Sequence, residues 1–453
     1  MKHFVNRWAA LFCVLLCMLL AVSLSAAETR IATLESDTTR VMLLSDAVIR
    51  VEQKGDHGFE DRVSLIAAGR GDFTGVAAKT RTEGNCLVAE TATYTVRLYT
   101  DRGYHADAVE IFNADGKLVW TVSKTATQEV RTAGFYHDLP DPGDTPEVYA
   151  LMDYPRIIPA EKGAAYVGST DAYSGWERYD ATDVYVMFAN GNAETLRTRF
   201  AEVTRRTPIS DIKTFGSWYS RYQNWTDADY KAVVENYRAN GFPLDILVID
   251  TKWRAAEDGT GYDIAANNFP DMRGFLADAH KSGVLTIFND HTHQSSNSAL
   301  SPTELKWHTE NLQKILAMGL DGWWYDRNWS YNFNSPYQGI VASTFGKVVY
   351  NDILKDYAGD KRVFLMANAE WVKNGKINYR PSIIGHRYGI QWSGDITSEA
   401  LQLRRELTNM VSMTAAGASP YMSSDLGGFM RATQQSNAMY TRWMQYGALS
   451  PIF

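Results

Sequence analysis

From residue 208 onward the chain repeats one rhythm: a short apolar run, a polar turn, a longer amphipathic stretch, then the next apolar run. The runs read as strands at Phe215–Ser220, Asp245–Trp253, Val284–Asp290, Gly322–Asp326, Arg362–Asn368, Gly389–Gly394, Pro420–Ser424 and Ala448–Phe453. Helical periodicity fills intervals at Asp227–Asn240, Asp271–Ser282, Thr303–Met318, Tyr337–Tyr357 and Ser398–Ala416. Thr226-Asp-Ala-Asp229 and Ser301-Pro-Thr-Glu304 place a hydroxyl three residues before an acid, the spacing of a capping box. Strands joined by crossover helices lie parallel. Eight of them over about 240 residues predict a (β/α)8 barrel, a fold of typically ~250 residues. The competing architecture, a doubly wound open sheet, usually carries a Gly-rich phosphate turn after its first strand. Phe215-Gly-Ser-Trp-Tyr-Ser220 has none. The eighth run ends with the sequence at Phe453, with no helix behind it to cover its apolar side. The barrel therefore reads as truncated at strand eight.

Before residue 208 the pattern has the period of strands. Val41–Gln53, Cys86–Thr100, Val109–Val122 and Val184–Phe188 alternate or are β-branched, and Asn113-Ala-Asp-Gly116 is a hairpin turn. An antiparallel β-sandwich over 28–207 is expected, with a helix at Ala193–Arg205 leading out of it. Residues 1–27 are set apart. Lys2 and Arg7 precede the apolar run Trp8–Val22 and the small residues Ser23 to Ala27, the layout of a cleaved signal peptide. The run is 15 residues, short for a membrane-spanning helix; an uncleaved anchor is the alternative. The expected setting is secreted or periplasmic, with no stable membrane insertion after cleavage. Of three cysteines, Cys13 and Cys17 fall in the leader and Cys86 stands alone, so no internal disulfide is expected. No Cys/His cluster has zinc spacing, and neither a metal nor a cofactor is expected. A net charge of −7 without a Lys/Arg run argues against a nucleic-acid partner. Thirteen Trp and 25 Tyr suit a neutral, hydroxylated ligand such as a sugar.

A barrel carries its active site at the C-terminal ends of its strands. Five of the eight ends here carry Asp: Asp250, Asp290, Asp326, Asp395 and Asp425, accompanied by Trp218, Trp253, Trp324 and Trp392. Asp is a poor strand residue, and a single Asp there is commonly the cap of the next helix. Five of them with clustered Trp point instead to carboxylate chemistry on a sugar: one carboxylate attacks the anomeric carbon and a second donates a proton to the leaving oxygen. No GxSxG elbow supports acyl transfer.

Several stretches resemble glycoside hydrolase family 31, the α-glucosidase, α-xylosidase and α-galactosidase-like family. They are Phe215–Arg221, Gly241–Trp253, Gly322–Asn328, Arg387–Ser398, Pro420–Phe429 and Arg442–Phe453, in the family's order, with Gly58–Asp61 and Gly175–Tyr179 in the N-terminal part. The resemblance implies a retaining α-glycosidase. It makes Asp326 the nucleophile, Asp395 the general acid/base and Asp250 the acid that binds hydroxyls of the innermost sugar. Trp324 and Trp392 would be its walls, and Arg380 the substrate-binding Arg upstream of the acid/base. Trp253, His291 and Asp425 complete the expected subsite. His291 could equally be a core histidine, and Asp425 could brace the site rather than touch sugar. Arg387 reads as structural, pairing with a nearby carboxylate, and Glu370 as a surface group. An oligosaccharide or glycoside is the expected partner.

Two departures bear on the sugar. The nucleophile segment continues Arg327-Asn328-Trp329 where the family's glucosidases have Met-Asn-Glu, and Asp395 is followed by Ile396-Thr397 where many members have Asn. Glucose, galactose, N-acetylgalactosamine and xylose all remain open. So do transglycosylation or lyase chemistry on the same scaffold, and carbohydrate binding without turnover. Asn224-Trp-Thr226 and Asn328-Trp-Ser330 are formal glycosylation sequons; a glycan beside Asp326 would block the site, which favours a bacterial setting.

Overall fold

A computed structural model describes residues 31–123, 145–154, 156–159, 176–256, 261–294, 298–326, 333–337, 340–359, 361–369, 372–373, 375–377, 383–415, 420–430 and 435–453. The expected leader, residues 1–27, lies outside them.

The N-terminal strands are β1 (Ala32–Glu35), β2 (Thr39–Leu43), β3 (Val48–Gln53), β4 (Lys79–Glu83), β5 (Cys86–Glu90), β6 (Tyr94–Tyr99), β7 (Val109–Asn113), β8 (Leu118–Thr121), β9 (Val148–Asp153), β10 (Arg156–Pro159), β11 (Trp176–Tyr179) and β12 (Asp183–Phe188). They form two five-stranded antiparallel sheets, ordered β1-β2-β3-β12-β9 and β4-β5-β6-β7-β8, and a β10-β11 pair. The pattern in β6 explains the pairing of sheets: Tyr94, Val96 and Leu98 are buried between them while Thr95, Arg97 and Tyr99 lean out. Central β12 is buried on both faces. Its Val184, Val186 and Phe188 join the inter-sheet core, whereas Tyr185 and Met187 meet Phe200 and Val203 of α1 (Ala193–Thr204) on the other side. The Asn113–Gly116 turn joins β7 to β8, with Gly116 at φ +75°, a left-handed conformation that favours glycine.

Seven parallel strands follow, hydrogen-bonded in sequence order: β13 (Trp218–Arg221), β14 (Ile246–Ile249), β15 (Leu285–Asp290), β16 (Gly322–Tyr325), β17 (Leu365–Asn368), β20 (Ile390–Trp392) and β21 (Met422–Ser423). A small hairpin, β18 (Val372–Lys373) with β19 (Lys376–Ile377), projects after β17. Helices α2 (Asp227–Ala239), α3 (Met272–Lys281), α4 (Pro302–Leu316), α5 (Ala342–Ala358) and α6 (Ala400–Ala415) occupy crossovers, and α7 (Asn437–Gly447) follows β21. The Thr226/Asp229 capping box starts α2, and Ser301 caps α4 by accepting from the Glu304 N–H at 3.2 Å. The predicted helix at Tyr337–Tyr357 starts later, at Ala342, because Val341 is still extended.

The eighth strand does not form over Ala448–Phe453. Helix α7 runs on to Gly447, and turns through Ala448, Leu449 and Ser450 use up most of the segment. Only the last residues reach the seam. The Trp218 N–H donates to the Phe453 carbonyl at 2.7 Å, and Ile452 enters the barrel interior.

Alternation along these strands decides what each face does. Ile246, Val248, Ile287, Trp324, Met366, Ile390 and Trp392 fill the barrel. Leu247, Ile249, Phe288, Trp323, Tyr325, Leu365 and Ala367 face outward, under the helices. Extending the inner row past the strand ends places Asp250, Asn289 and Asp326 on the interior side of the mouth.

Candidate active site

Asp326 follows β16 directly and is 3% exposed. Its N–H donates to the Asp290 carbonyl of the neighbouring strand end at 3.1 Å, which fixes its backbone. Two side chains of β15 and its exit reach one carboxylate oxygen: Asn289 Nδ2 lies 3.1 Å and His291 Nε2 2.9 Å from Asp326 Oδ2. Asp250, one strand back, is buried and accepts the Thr251 N–H at 2.7 Å. Burial first, then the charges of Asp326 and Asp395, raise its pKa to about 7. Those fields place Asp326 and Asp395 within electrostatic reach of Asp250. For the imidazole of His291, burial opposes the charged form, yet the hydrogen bond and charge of Asp326 prevail and its pKa is raised.

The walls are aromatic. Trp324 and Trp392 meet edge to face with ring centroids 4.7 Å apart. Trp392 Nε1 donates to Asp425 Oδ1 at 2.8 Å, and Asp425 sits in a turn whose Gly427 and Gly428 both have left-handed φ, +94° and +85°. A Cβ at Gly428 would collide with the backbone of Ser398, so this turn packs against the segment after Asp395 only with glycine there. Burial holds the Asp425 carboxyl well above the ordinary range, with the Asp395 charge acting in the same direction. Among the described residues, buried Trp324 Nε1 and Asn289 Oδ1 have no hydrogen-bond partner. Unpaired buried polar atoms are uncommon in native proteins, and these two lie at the mouth.

The description "Glycosyl hydrolases family 31 TIM-barrel domain" matches residues 207–301 and 289–453, more than half of the chain. The chain belongs to glycosyl hydrolase family 31. An α-xylosidase of Emericella nidulans is 22% identical over 312 residues, 59% of this chain and 38% of that protein. "Alpha-glucosidase 2" of Bacillus thermoamyloliquefaciens is 22% identical over 350 residues, 63% of this chain and 41% of that protein. The matches thus span about two fifths of these relatives. The solved family 31 α-xylosidase of Xanthomonas citri superposes with a TM-score of 0.58 at 14% identity, over 94% of this chain and 72% of that one, a likeness of fold.

In this family 31 chain the mouth brings together Asp250, His291, Asp326, Asp395, Trp324, Trp392 and Asp425. Two expected members are placed elsewhere. Trp253 is 0% exposed, stacked on Phe288 outside the barrel wall, because the turn after Asp250 is a short 3-10 segment that swings it outward. Its indole N–H donates to the Asn289 carbonyl at 2.7 Å, so it supports the site from behind and cannot line a subsite. Trp218 opens β13, at the opposite end of the barrel from the mouth. Arg380, Glu370 and the Arg327–Trp329 segment lie outside the described residues. Asp425 braces Trp392. Arg387 is structural, but its partners are the carbonyls of Thr204 and Leu65 and the Tyr388 hydroxyl rather than a carboxylate, tying the barrel to the sandwich. Asp290 points outward to an ion pair with Arg254 and to the Tyr350 hydroxyl. The residue missed at this strand end is Asn289. The signal was present, since Asn289 and His291 share the parity of inward Ile287 and Asp290 does not.

Proposed function

We propose that the chain is a retaining α-glycosidase acting on terminal α-linked sugars. The observation that carries this reading is Asp326, held at the inner end of β16 by Asn289 and His291 beside Asp250 and Asp395, in a family 31 barrel. An oxygen of ionised Asp326 attacks the anomeric carbon while the glycosidic C–O bond breaks. The proton of Asp395 goes to the departing oxygen. Water then attacks the same carbon, its proton returns to Asp395, and the ester electron pair returns to Asp326. Trp324 and Trp392 offer apolar faces to the sugar C–H surface. Asp250, with its pKa near 7, supplies an acceptor or a donor for ring hydroxyls.

The same reading holds the chain exported: Lys2, Arg7 and the apolar run Trp8–Val22 would be removed with the leader, and the N-terminus of the mature protein, read by mass spectrometry, checks this. For activity, a panel of aryl α- and β-glycosides of glucose, galactose, N-acetylgalactosamine and xylose is the test, with product anomers followed by proton NMR. Hydrolysis of an α-linked member with an α-product first is expected. Turnover of β-linked members alone, or a β-product first, rejects the reading.

A further inference from the structure

If Asp326 is the nucleophile, something must aim it, and the inference drawn here rests on that reading. Two donors from one strand end converge on a single oxygen. Asn289 Nδ2 and His291 Nε2 both bind Oδ2 of Asp326, at 3.1 and 2.9 Å. They are two residues apart, so they project from the same side of an extended backbone. That backbone is pinned on three sides. The Asp326 N–H binds the Asp290 carbonyl at 3.1 Å, the Trp253 indole binds the Asn289 carbonyl at 2.7 Å, and Arg254 Nη1 binds the His291 carbonyl at 3.4 Å. The backbone that carries both donors is therefore held in place.

We infer that His291, together with Asn289, is a positioning residue that clamps Oδ2 of Asp326 and leaves attack on the anomeric carbon to the other carboxylate oxygen. The charged groups acting on the imidazole are Asp326 on β16, Asp250 after β14 and Asp290 on its own strand. Their combined field favours a cationic imidazole, and a cation on Oδ2 favours the ionised carboxylate that attack requires. In the glycosyl-enzyme Oδ2 becomes an ester carbonyl. When water displaces the sugar, negative charge returns to the carboxyl and the imidazole meets it again. The clamp therefore acts on the transition states of both steps.

The test uses the full chain with an aryl α-glycoside that the panel shows to be hydrolysed. His291→Ala should lower kcat by about 10²-fold, the usual loss for one positioned donor, with KM changed by less than about threefold. His291→Gln keeps an N–H donor without the charge and should recover roughly a tenth of the wild-type rate, and added imidazole should raise the rate of His291→Ala. A merely structural residue would respond neither to imidazole nor to the donor in Gln. Rates within twofold of wild type for His291→Ala, or equal losses for Ala and Gln with imidazole silent, overturn the inference. A second measurement needs no turnover: the NMR titration of the His291 imidazole should move to lower pH in Asp326→Asn, and an unmoved titration also overturns it. A wild-type chain inert toward every α-glycoside rejects the glycosidase reading, while the titration still decides whether the clamp exists.

Discussion

The molecule buries charge in two places, and it does so differently. In the sandwich, Arg50 lies 2.9 Å from Asp183 and 3.1 Å from Glu52, and Arg156 lies 2.8 Å from Glu52, all at 0–1% side-chain exposure. Arg40 adds a further contact to Glu52 at 2.6 Å. Each buried carboxylate there faces at least one guanidinium, which is what a buried ion cluster needs to survive its desolvation cost. At the barrel mouth Asp250, Asp326, Asp395 and Asp425 converge, and the described residues set His291 against them in direct contact. A surplus of carboxylates at one mouth serves no stabilising purpose, and the proposed chemistry on a sugar would give it one. The matched cluster is architecture, and the mismatched one is a site.

Mutation should separate them, beginning with the mouth. Asp326→Ala should abolish turnover, by a factor on the order of 10⁴ or more as for removal of other nucleophiles, with thermal unfolding little changed. Covalent labelling by an α-configured cyclophellitol-type probe should fall on the peptide containing Asp326; labelling elsewhere would move the nucleophile. Asp395→Ala should depend on the leaving group. Substrates that need protonation should lose about 10²–10⁴-fold, while an acidic phenol should still depart. The glycosyl-enzyme should then accumulate, and azide should release it as the α-glycosyl azide. Equal losses for all substrates would remove Asp395 from its role, and a β-azide would mean inversion.

The sandwich should answer with stability instead. Asp183→Ala leaves Arg50 and Arg156 buried with Glu52 as their shared carboxylate and should cost about 3–5 kcal/mol in urea unfolding, with activity per folded molecule retained. An effect under about 1 kcal/mol would show that the cluster is not matched in the way the distances suggest.

The two regions also differ in how far the residues announced them. The strand–helix rhythm made the barrel legible because each crossover leaves a local pattern, and Asp326 and Asp395 stood out through their motifs. The roles of Trp253 and Asn289 were not legible by residue type. Trp253 looked like a sugar platform, but a three-residue 3-10 turn sends it to the outer core. Asn289 looked unremarkable beside Asp290, yet the parity of β15 gives it the inner face. Strand eight was overread because α7 persists to Gly447 and the turn after it takes the residues that seemed extended. The sandwich ion cluster depends on Arg50 and Asp183, 133 positions apart, and no local pattern reports such a pairing.

The smallest predicted effect tests whether a raised carboxyl pKa by itself marks a site. Asp153 in the sandwich and Asp250 in the mouth are both raised to about 7, each chiefly by burial, with Asp183 adding to the first and Asp326 to the second. The thermodynamic sign is the same for both. The folded carboxyl keeps its proton up to about pH 7, while the unfolded one releases it near its ordinary value of 3.8. Between those limits the native state holds more protons, so each group's favourable contribution is complete at low pH and is lost as pH rises toward 7. Replacing either by Asn removes that dependence. For Asp153→Asn the stability difference from wild type, measured by urea unfolding, should grow by about 1–3 kcal/mol in the mutant's favour between pH 4 and pH 8. Asp250→Asn should drift in the same direction. Only activity divides them: Asp153→Asn should keep kcat and KM, whereas Asp250→Asn should raise KM by about tenfold or more, the loss expected when a buried hydrogen bond to a sugar hydroxyl disappears. A flat stability difference for Asp153→Asn would mean that its carboxyl is ionised in the fold, compensated by the neighbouring arginines. Loss of activity in Asp153→Asn would collapse the distinction between a matched cluster that holds the fold and an unmatched one that does chemistry.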